Sequence, residues 1–337
     1  MLIGVDHGNK QIKTVHCTPF VSGLQQSMTR PFGPSLQYCG NYYTLSNERI
    51  PYRKDKTVDD RFFILTLIAI AEELTARGVD EKELYHIQLP VGLPPAHYGA
   101  QAEKFTAYFQ KKGIVEFQYR DKHYAISIDD VACYPQAYAA AATMLHTLMN
   151  EAKAVVVDIG GFTADYLLMK NGKADLSSCD SLENGVILLY NKIRSRGNAE
   201  LDLLLDEGDV DAILTGKQTQ YPPSVVQLVE QLAQEFVNDL FSTLRGADAG
   251  LALLHGGLCG AAAPFFCAGR LRHPEKWVSR CSSPISTPMQ PDMSICTALK
   301  LRAGDSYGGQ ERTGAFPCGS ISATRSIWQR SNCWKTT

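Results

Sequence analysis

Two segments of the chain share one design that restricts what the chain can fold into. Residues 2–9 read LIGVDHGN, and residues 155–163 read VVVDIGGFT. In each segment, apolar and β-branched residues predict a buried strand, an aspartate ends the strand, and a glycine-containing turn follows. One such segment on its own is more often just a tight turn. Two of them, each at the head of an α/β half, indicate a duplicated site across a cleft.

The residue types in these two turns suit a polyphosphate that is bound with a divalent cation. Glycine lets backbone N–H groups approach phosphate oxygens because it has no Cβ. The aspartates, Asp6 and Asp158, can hold Mg²⁺ through its water ligands, since Mg²⁺ dehydrates reluctantly. Thr163 adds a side-chain donor. Two such turns that face each other would clamp a polyphosphate.

Strand and helix signals alternate up to about residue 245, which is typical of an α/β fold. A chain of 337 residues suits about two domains, and two domains imply a cleft. Residues 114–128 predict a hairpin of two strands that turns at residues 120–122. Apolar spacing and start and stop residues predict helices over 130–149, 183–196 and 224–244, and a further helix that contains residues 62–71, begins at Asp59 and Asp60 and is stopped by Gly78.

Charge and composition narrow the function classes. The formal net charge is −2 and the charges are spread along the chain, so no basic surface for nucleic acid or an anionic membrane is expected. The most apolar stretch, residues 62–71, is half the length that spans a bilayer. The start of the chain lacks the pattern of a signal peptide. Ten cysteines without CxxC or zinc spacing indicate reduced thiols, and hence a cytoplasmic protein.

The chain resembles the actin-like ATPases, the superfamily that also contains sugar kinases. DIGGFTAD at 158–165 is similar to the second phosphate loop of that superfamily, and VDHGNKQIK at 5–13 is similar to the first. Within it, the chain most resembles bacterial plasmid-segregation actins of the ParM/StbA and Alp type. This is supported by LPVGLPPAHY at 89–98, YPQAYAAA at 134–141 and ENGVILLYNKI at 183–193. The resemblance covers about residues 1–245 and implies an actin-like, ribonuclease H-like fold of two α/β domains.

The resemblance implies ATP and Mg²⁺ as ligands, with Asp6 and Asp158 at the metal ion. The residues that match the two phosphate loops are Asp6, Gly8, Asn9, Lys13, Asp158, Gly160, Gly161 and Thr163. Gln136 occupies the place of a family Gln or Glu that orients the attacking water, although it can instead cap the helix after Pro135. Gly185 is placed near the nucleotide sugar and phosphates. A residue that only orients the attacking water is sufficient for this reaction, because phosphoryl transfer depends mostly on orientation and charge stabilisation.

The implied function is an ATPase that polymerises into filaments in the cytoplasm and moves plasmid or phage DNA. Its partners would be further copies of itself and a DNA-bound adaptor protein, with no direct contact to nucleic acid or membrane. One alternative is a small-molecule kinase of the same superfamily, which needs an aspartate base. Asp129 and Asp130 keep that alternative open, whereas Gln136 favours hydrolysis. A degenerate, non-catalytic member is the third possibility.

The end of the sequence differs in character from the rest. Beyond about residue 250 the apolar periodicity vanishes, and all three tryptophans and six of the ten cysteines occur there. Residues 255–260, HGGLCG, stand where the family has a late glycine turn, but no strand is predicted before them. We therefore predict a first domain over 1–150, a truncated second domain over 151–250, and an aberrant, disordered tail over 251–337.

The tail predicts a frameshift in the gene near residues 245–257. Residues 272–297 can be translated back into codons and read again one frame away. With permitted codon choices, the second frame gives ASGKVGKPLFITDINANAAGYEYLYS. This string is similar to the C-terminal segment of the family. Residues 258–271 likewise give VWGGGALLLRRQIE, a glycine turn and a helix.

Sequencing the gene from codon 240 on an independently amplified template tests this prediction. An open second frame that encodes both strings supports the frameshift, and stop codons in that frame contradict it. The chain as written should bind ATP weakly, because one side of the adenosine site would be open. A submicromolar dissociation constant would contradict that expectation.

Overall fold

The computed structural model describes residues 1–79, 83–110, 113–136, 138, 141, 152–171, 173–217, 220–247 and 255–260. The first-half strands are β1 (Asp6–His7), β2 (Gln11–Lys13), β3 (Phe20–Val21), β4 (Leu24–Ser27), β5 (Leu36–Tyr38), β6 (Asn41–Leu45), β7 (Tyr85–Leu93), β8 (Ile114–Tyr119) and β9 (Lys122–Pro135). The second-half strands are β10 (Lys153–Ile159), β11 (Ala164–Lys170), β12 (Lys173–Leu182) and β13 (His255–Gly260). The helices are α1 (Arg61–Ala76), α2 (Pro95–Gln110), α3 (Val186–Leu201), α4 (Glu207–Leu214) and α5 (Pro223–Ala247).

The first half is built on a mixed sheet with the strand order β4-β6-β5-β8-β9-β7. β7 and β9 are parallel, and the hairpin of β8 and β9 is antiparallel. Residues 2–5 lie parallel to β7, since the amides of Ile3 and Val5 donate to the carbonyls of Gln88 and Pro90 at 3.0 Å. The predicted opening strand therefore pairs with the edge of the sheet through these contacts. Asp6 follows it directly and lies at the carboxyl end of the parallel strands.

The first hydrophobic core lies between this sheet and the helices α1 and α2. Ten consecutive residues of α1, from Phe62 to Ala71, are buried, because the helix is apolar on all sides. The helix ends before Gly78, which adopts a φ of +59°. The predicted hairpin turn is confirmed: Arg120 and Asp121 have φ values of 51° and 64°, which place them in the left-handed region.

The second half has a four-stranded sheet with the order β12-β11-β10-β13. A second core forms where β10 and β11 pack against α3, α4 and α5. The predicted helix over 224–244 is confirmed as α5, and Val229, Leu232 and Leu240 on its apolar side are fully buried. No helix within the described residues is both long and apolar enough to cross a membrane.

The predicted helix over 130–149 is wrong in its first part. β9 continues to Pro135, because residues from Asp130 to Pro135 pair in parallel with β7 from Gln88 to Leu93. This pairing buries Val131 and Tyr134. Helical geometry is described only from Gln136 onward, and residues 142–150 lie outside the described residues.

The sheet of the second half continues past the predicted domain end at residue 250. β13 pairs in parallel with β10, from Ala154 opposite His255 to Ile159 opposite Gly260. Glycine-rich HGGLCG has a weak intrinsic preference for strand, so its pairing with a buried neighbour decides its structure. The remainder of the predicted tail, residues 251–254 and 261–337, lies outside the described residues, and the frameshift stays a prediction.

The aromatic cluster around Phe109 provides a test of the first core. Phe109 is fully buried, and its ring lies 5.1 Å from Phe105 and 4.9 Å from Tyr108 between ring centroids. Phe109→Ala should lower the free energy of unfolding by about 3–5 kcal/mol in a urea titration, because it leaves a cavity. Phe32, which is fully exposed, supplies the matched control. Phe32→Ala should change the stability by less than about 0.5 kcal/mol, and equal losses for both variants would contradict the described core.

Candidate functional site

The first candidate loop is the turn between β1 and β2. Asp6 lies opposite Lys13 in the antiparallel register, and the Lys13 Nζ is 3.5 Å from an Asp6 carboxylate oxygen. A Cβ on Gly8 would lie 2.6 Å from the Gln11 carbonyl oxygen, so this tight turn requires glycine. Asn9 is half-buried at the tip of the same turn. The register thus places the predicted residues of the first loop on one short hairpin.

Gln136 reaches the first loop from a distant part of the sequence. Its Nε2 donates to the Asp6 Oδ1 at 2.9 Å. This contact follows from the sheet: β9 runs parallel to β7, and residues 2–5 run parallel to β7 on its other side. Carboxyl ends of parallel strands meet at one edge, so Asp6 and Gln136 emerge together.

The second candidate loop joins β10 to β11 and is held by its own backbone. The Gly160 amide donates to the Thr163 carbonyl at 2.8 Å. Three amides at the start of α3 donate to the loop carbonyls: Gly185 to Phe162 at 2.9 Å, Val186 to Gly160 at 3.0 Å, and Ile187 to Gly161 at 2.9 Å. These bonds satisfy amide donors that a helix start otherwise leaves without a partner. Because the Gly160 amide is engaged, it is not free to donate to a phosphate.

Glycine is required where the two loops and α3 meet. A Cβ on Gly161 would lie 3.0 Å from the backbone nitrogen of Lys10 in the first loop. A Cβ on Gly185 would lie 2.2 Å from the Gly161 carbonyl oxygen. The sequence predicted that these glycines lie close to a nucleotide. The structure gives both a further role, since they allow backbone to pack on backbone between the loops.

Two carboxylates flank the second loop, Asp158 near the end of β10 and Asp165 near the start of β11. Burial raises the pKa of Asp158 to about 6; the charge of Asp6 adds to this shift and Lys13 opposes it. Burial also raises the pKa of Asp165 to about 7, and the charge of Asp158 adds to it. The Thr163 hydroxyl lies 3.5 Å from an Asp165 carboxylate oxygen and is therefore directed at that acid.

The donor set around these acids fits a hydrated divalent cation. The charge of Asp6 raises the cost of ionising Asp158, so a cation at these carboxylates would relieve the repulsion. Mg²⁺ is typically held by one or two carboxylates together with substrate phosphates and waters. Within the described residues, no three acidic, histidine or cysteine side chains form a protein-only metal site. The two carboxylates thus suit Mg²⁺ that is held together with a phosphate ligand and waters.

Sequence reasoning missed a residue of the first loop that contacts the second half. Lys10 Nζ lies 2.8 Å from an Asp211 carboxylate oxygen on α4, and it also donates to the Tyr190 hydroxyl on α3. Asp211 is 201 positions away in the sequence, so no local pattern indicates this contact. His7 of β1 is buried and contacts the Thr66 hydroxyl at 2.7 Å between Nε2 and Oγ1. Burial lowers its pKa to about 3, so it is neutral.

Comparison with protein families gives two matches along the chain. Residues 4–138 match the actin like proteins N terminal domain, and residues 156–261 match the archaeal actin homologue MreB-like C-terminal domain. The second match extends past residue 250, in agreement with β13. A search of curated proteins gives no match.

Solved structures with the same fold cover most of the chain. The archaeal actin homolog Ta0583 in complex with ADP has a TM-score of 0.68 at 13% identity, over 89% of this chain and 99% of that chain. The actin-like protein Alp7A has a TM-score of 0.64 at 12% identity, over 90% and 99%. A 15-stranded ParM filament from Clostridium botulinum has a TM-score of 0.64 at 14% identity, over 91% and 99%. The predicted actin-like fold is confirmed.

The junction of the second loop with α3 can be tested by adding one methyl group. Gly185→Ala should destabilise the protein by about 1–3 kcal/mol, because the new Cβ overlaps the Gly161 carbonyl and displaces the loop. Gly99→Ala in α2 is the matched control, since a Cβ there meets nothing within 4 Å. That variant should gain up to about 1 kcal/mol from helix propensity. Thermal unfolding measures both, and an unchanged melting temperature for Gly185→Ala would contradict the described junction.

Proposed function

We propose, on the premise that this chain belongs to the actin-like proteins, that it binds ATP with Mg²⁺, hydrolyses it and assembles into filaments. The observation that carries the proposal is the contact between Gln136 and Asp6 beside Lys13, at the point where the second loop packs on the first. There, an acid and a cation of the first hairpin meet an amide from a distant part of the chain. The ADP complex of a neighbour with the same fold supports a nucleotide as ligand.

In this proposal, each residue has a role that its contacts permit. Asp6 and Asp158 would hold Mg²⁺ through waters, and the ion would neutralise charge on the terminal phosphates. Lys13 would offset the negative charge beside Asp6. The Gln136 Nε2 donates to Asp6, which leaves its Oε1 as an acceptor for a hydrogen of the attacking water. Gln136 thereby orients the water, and it does not need to take a proton.

The proposal also includes polymerisation and DNA segregation. A ParM filament is among the structures with this fold, which supports further copies of the chain as the first partner. A net charge of −2 does not favour direct binding to DNA. We therefore propose that a DNA-bound adaptor protein links the filament to plasmid or phage DNA in the cytoplasm.

The rival function, a small-molecule kinase, loses support from the position of its proposed base. Asp129 is exposed and contacts Ser127 and His86 at 2.6 and 2.9 Å. It precedes Gln136 by seven positions, and most of the intervening chain is extended β9, so the two lie about 20 Å apart along the strand. Asp130 precedes Gln136 by six positions along the same strand, so it also lies about 20 Å from Gln136. Neither acid is placed to act on a substrate beside the phosphate loops.

Gln136→Ala tests the proposed hydrolysis. The variant should lower the ATP turnover rate about 10²-fold while ATP affinity stays within a few-fold, because only the orientation of water is lost. Gln118→Ala is the matched control, since Gln118 is exposed on β8. It should leave turnover unchanged. Equal turnover of Gln136→Ala and the wild type would contradict the role of Gln136.

Electron microscopy and product analysis with ATP distinguish the candidate functions. Filaments that form with ATP support the actin-like function. A phosphorylated small product would identify a kinase. Nucleotide binding without turnover or filaments would identify a degenerate member.

A further inference from the structure

The segment between β6 and α1 carries a lysine that is buried beside the first phosphate loop. Lys56 is 6% exposed, although it follows a run of mostly exposed residues. Its ammonium donates to the carbonyl of His7. His7 ends β1 and directly precedes Gly8, so Lys56 holds the backbone at the point where the first loop begins.

The charges that act on Lys56 come from both loops. Burial lowers its pKa to about 8, while Asp6 and Asp165 oppose this shift. Asp6 belongs to the first loop, and Asp165 follows Thr163 of the second loop by two positions. A buried ammonium is stable only when opposite charges and acceptors compensate it. The charges of these two acids and the His7 carbonyl provide that compensation.

The rest of the segment lies along the second half of the molecule. Tyr52 stacks on Phe162 of the second loop with ring centroids 4.3 Å apart. Lys54 is 3.8 Å from a carboxylate oxygen of Glu183, which precedes α3. The segment therefore reaches the second loop through Tyr52 and the first loop through Lys56, so a shift of either loop moves it.

We propose that Lys56 is a positioning residue of the nucleotide site, which fixes the first phosphate loop against the second so that both reach the terminal phosphates together. This inference rests on the proposed function. Because the two loops are the parts that contact phosphates, loss of this alignment weakens binding in proportion to the number of phosphates. Recognition of the adenosine part is left unchanged.

The test compares two variants of the same segment, Lys56→Met and Lys54→Met. Isothermal titration of the full chain with ATP, ADP and AMP in the presence of Mg²⁺ gives the three affinities. Lys56→Met should weaken ATP binding about tenfold, ADP binding less, and AMP binding hardly at all. Lys54 is exposed in its pair with Glu183, so Lys54→Met removes the same charge and should change each affinity by less than about twofold.

Lys56→Gln separates positioning from simple charge. A glutamine amide can donate to the His7 carbonyl but carries no charge, so it should restore part of the ATP affinity that Lys56→Met loses. Equal losses in Lys56→Gln and Lys56→Met would overturn the positioning role. The Gln variant also decides the question if Lys56→Met does not fold, as judged by thermal unfolding, because it keeps a polar group at the buried position.

The remaining outcomes separate this inference from the function on which it rests. If the wild-type chain binds no nucleotide, the proposed function fails and the role of Lys56 fails with it. If the wild type binds ATP and Lys56→Met binds it equally well, only the role of Lys56 is overturned. An equal loss for ATP and AMP would indicate a general structural effect, and it would also overturn the inference.

Discussion

Backbone packing between the two candidate loops is the constraint on which the rest of the site depends. Gly161 lies against the backbone of Lys10, and Gly185 lies against the carbonyl of Gly161, at distances that exclude a Cβ. Larger residues at these positions would separate the loops. The start of α3 then donates its amides to the second loop, so the loop, the helix and the first hairpin form one junction.

Contacts between the two halves surround this junction. Lys10 meets Asp211 and Tyr190 on one side, and Tyr52 stacks on Phe162 on the other. Exposed ion pairs stabilise proteins little, but Lys10 is mostly enclosed, with 11% of its side chain exposed. Aromatic stacking adds apolar contact that salt does not screen. The halves are thus connected at the loops themselves, where a nucleotide would bind in the proposed function.

Local patterns predicted much of the fold. The apolar run of α1, the spacing of α5 and the turn between β8 and β9 are properties of short segments, and each is confirmed. The helix prediction over 130–149 failed in its first part, and in two segments pairing overrides local preference. Residues from Asp130 to Pro135 are strand because β7 offers a parallel partner, and HGGLCG is strand because β10 does.

The sequence by itself determined that the chain has two segments in which a strand is followed by an aspartate and a glycine turn. These segments were sufficient to predict the actin-like fold and the candidate loop residues. Those features depend on neighbours within a few positions, so a one-dimensional pattern contains them. Only the tertiary structure decided that Gln136 donates to Asp6, that Lys10 meets Asp211, and that Lys56 lies beneath the first loop. These contacts join residues that are far apart in the sequence. They arise from the register of parallel strands and from burial, and neither leaves a local signal.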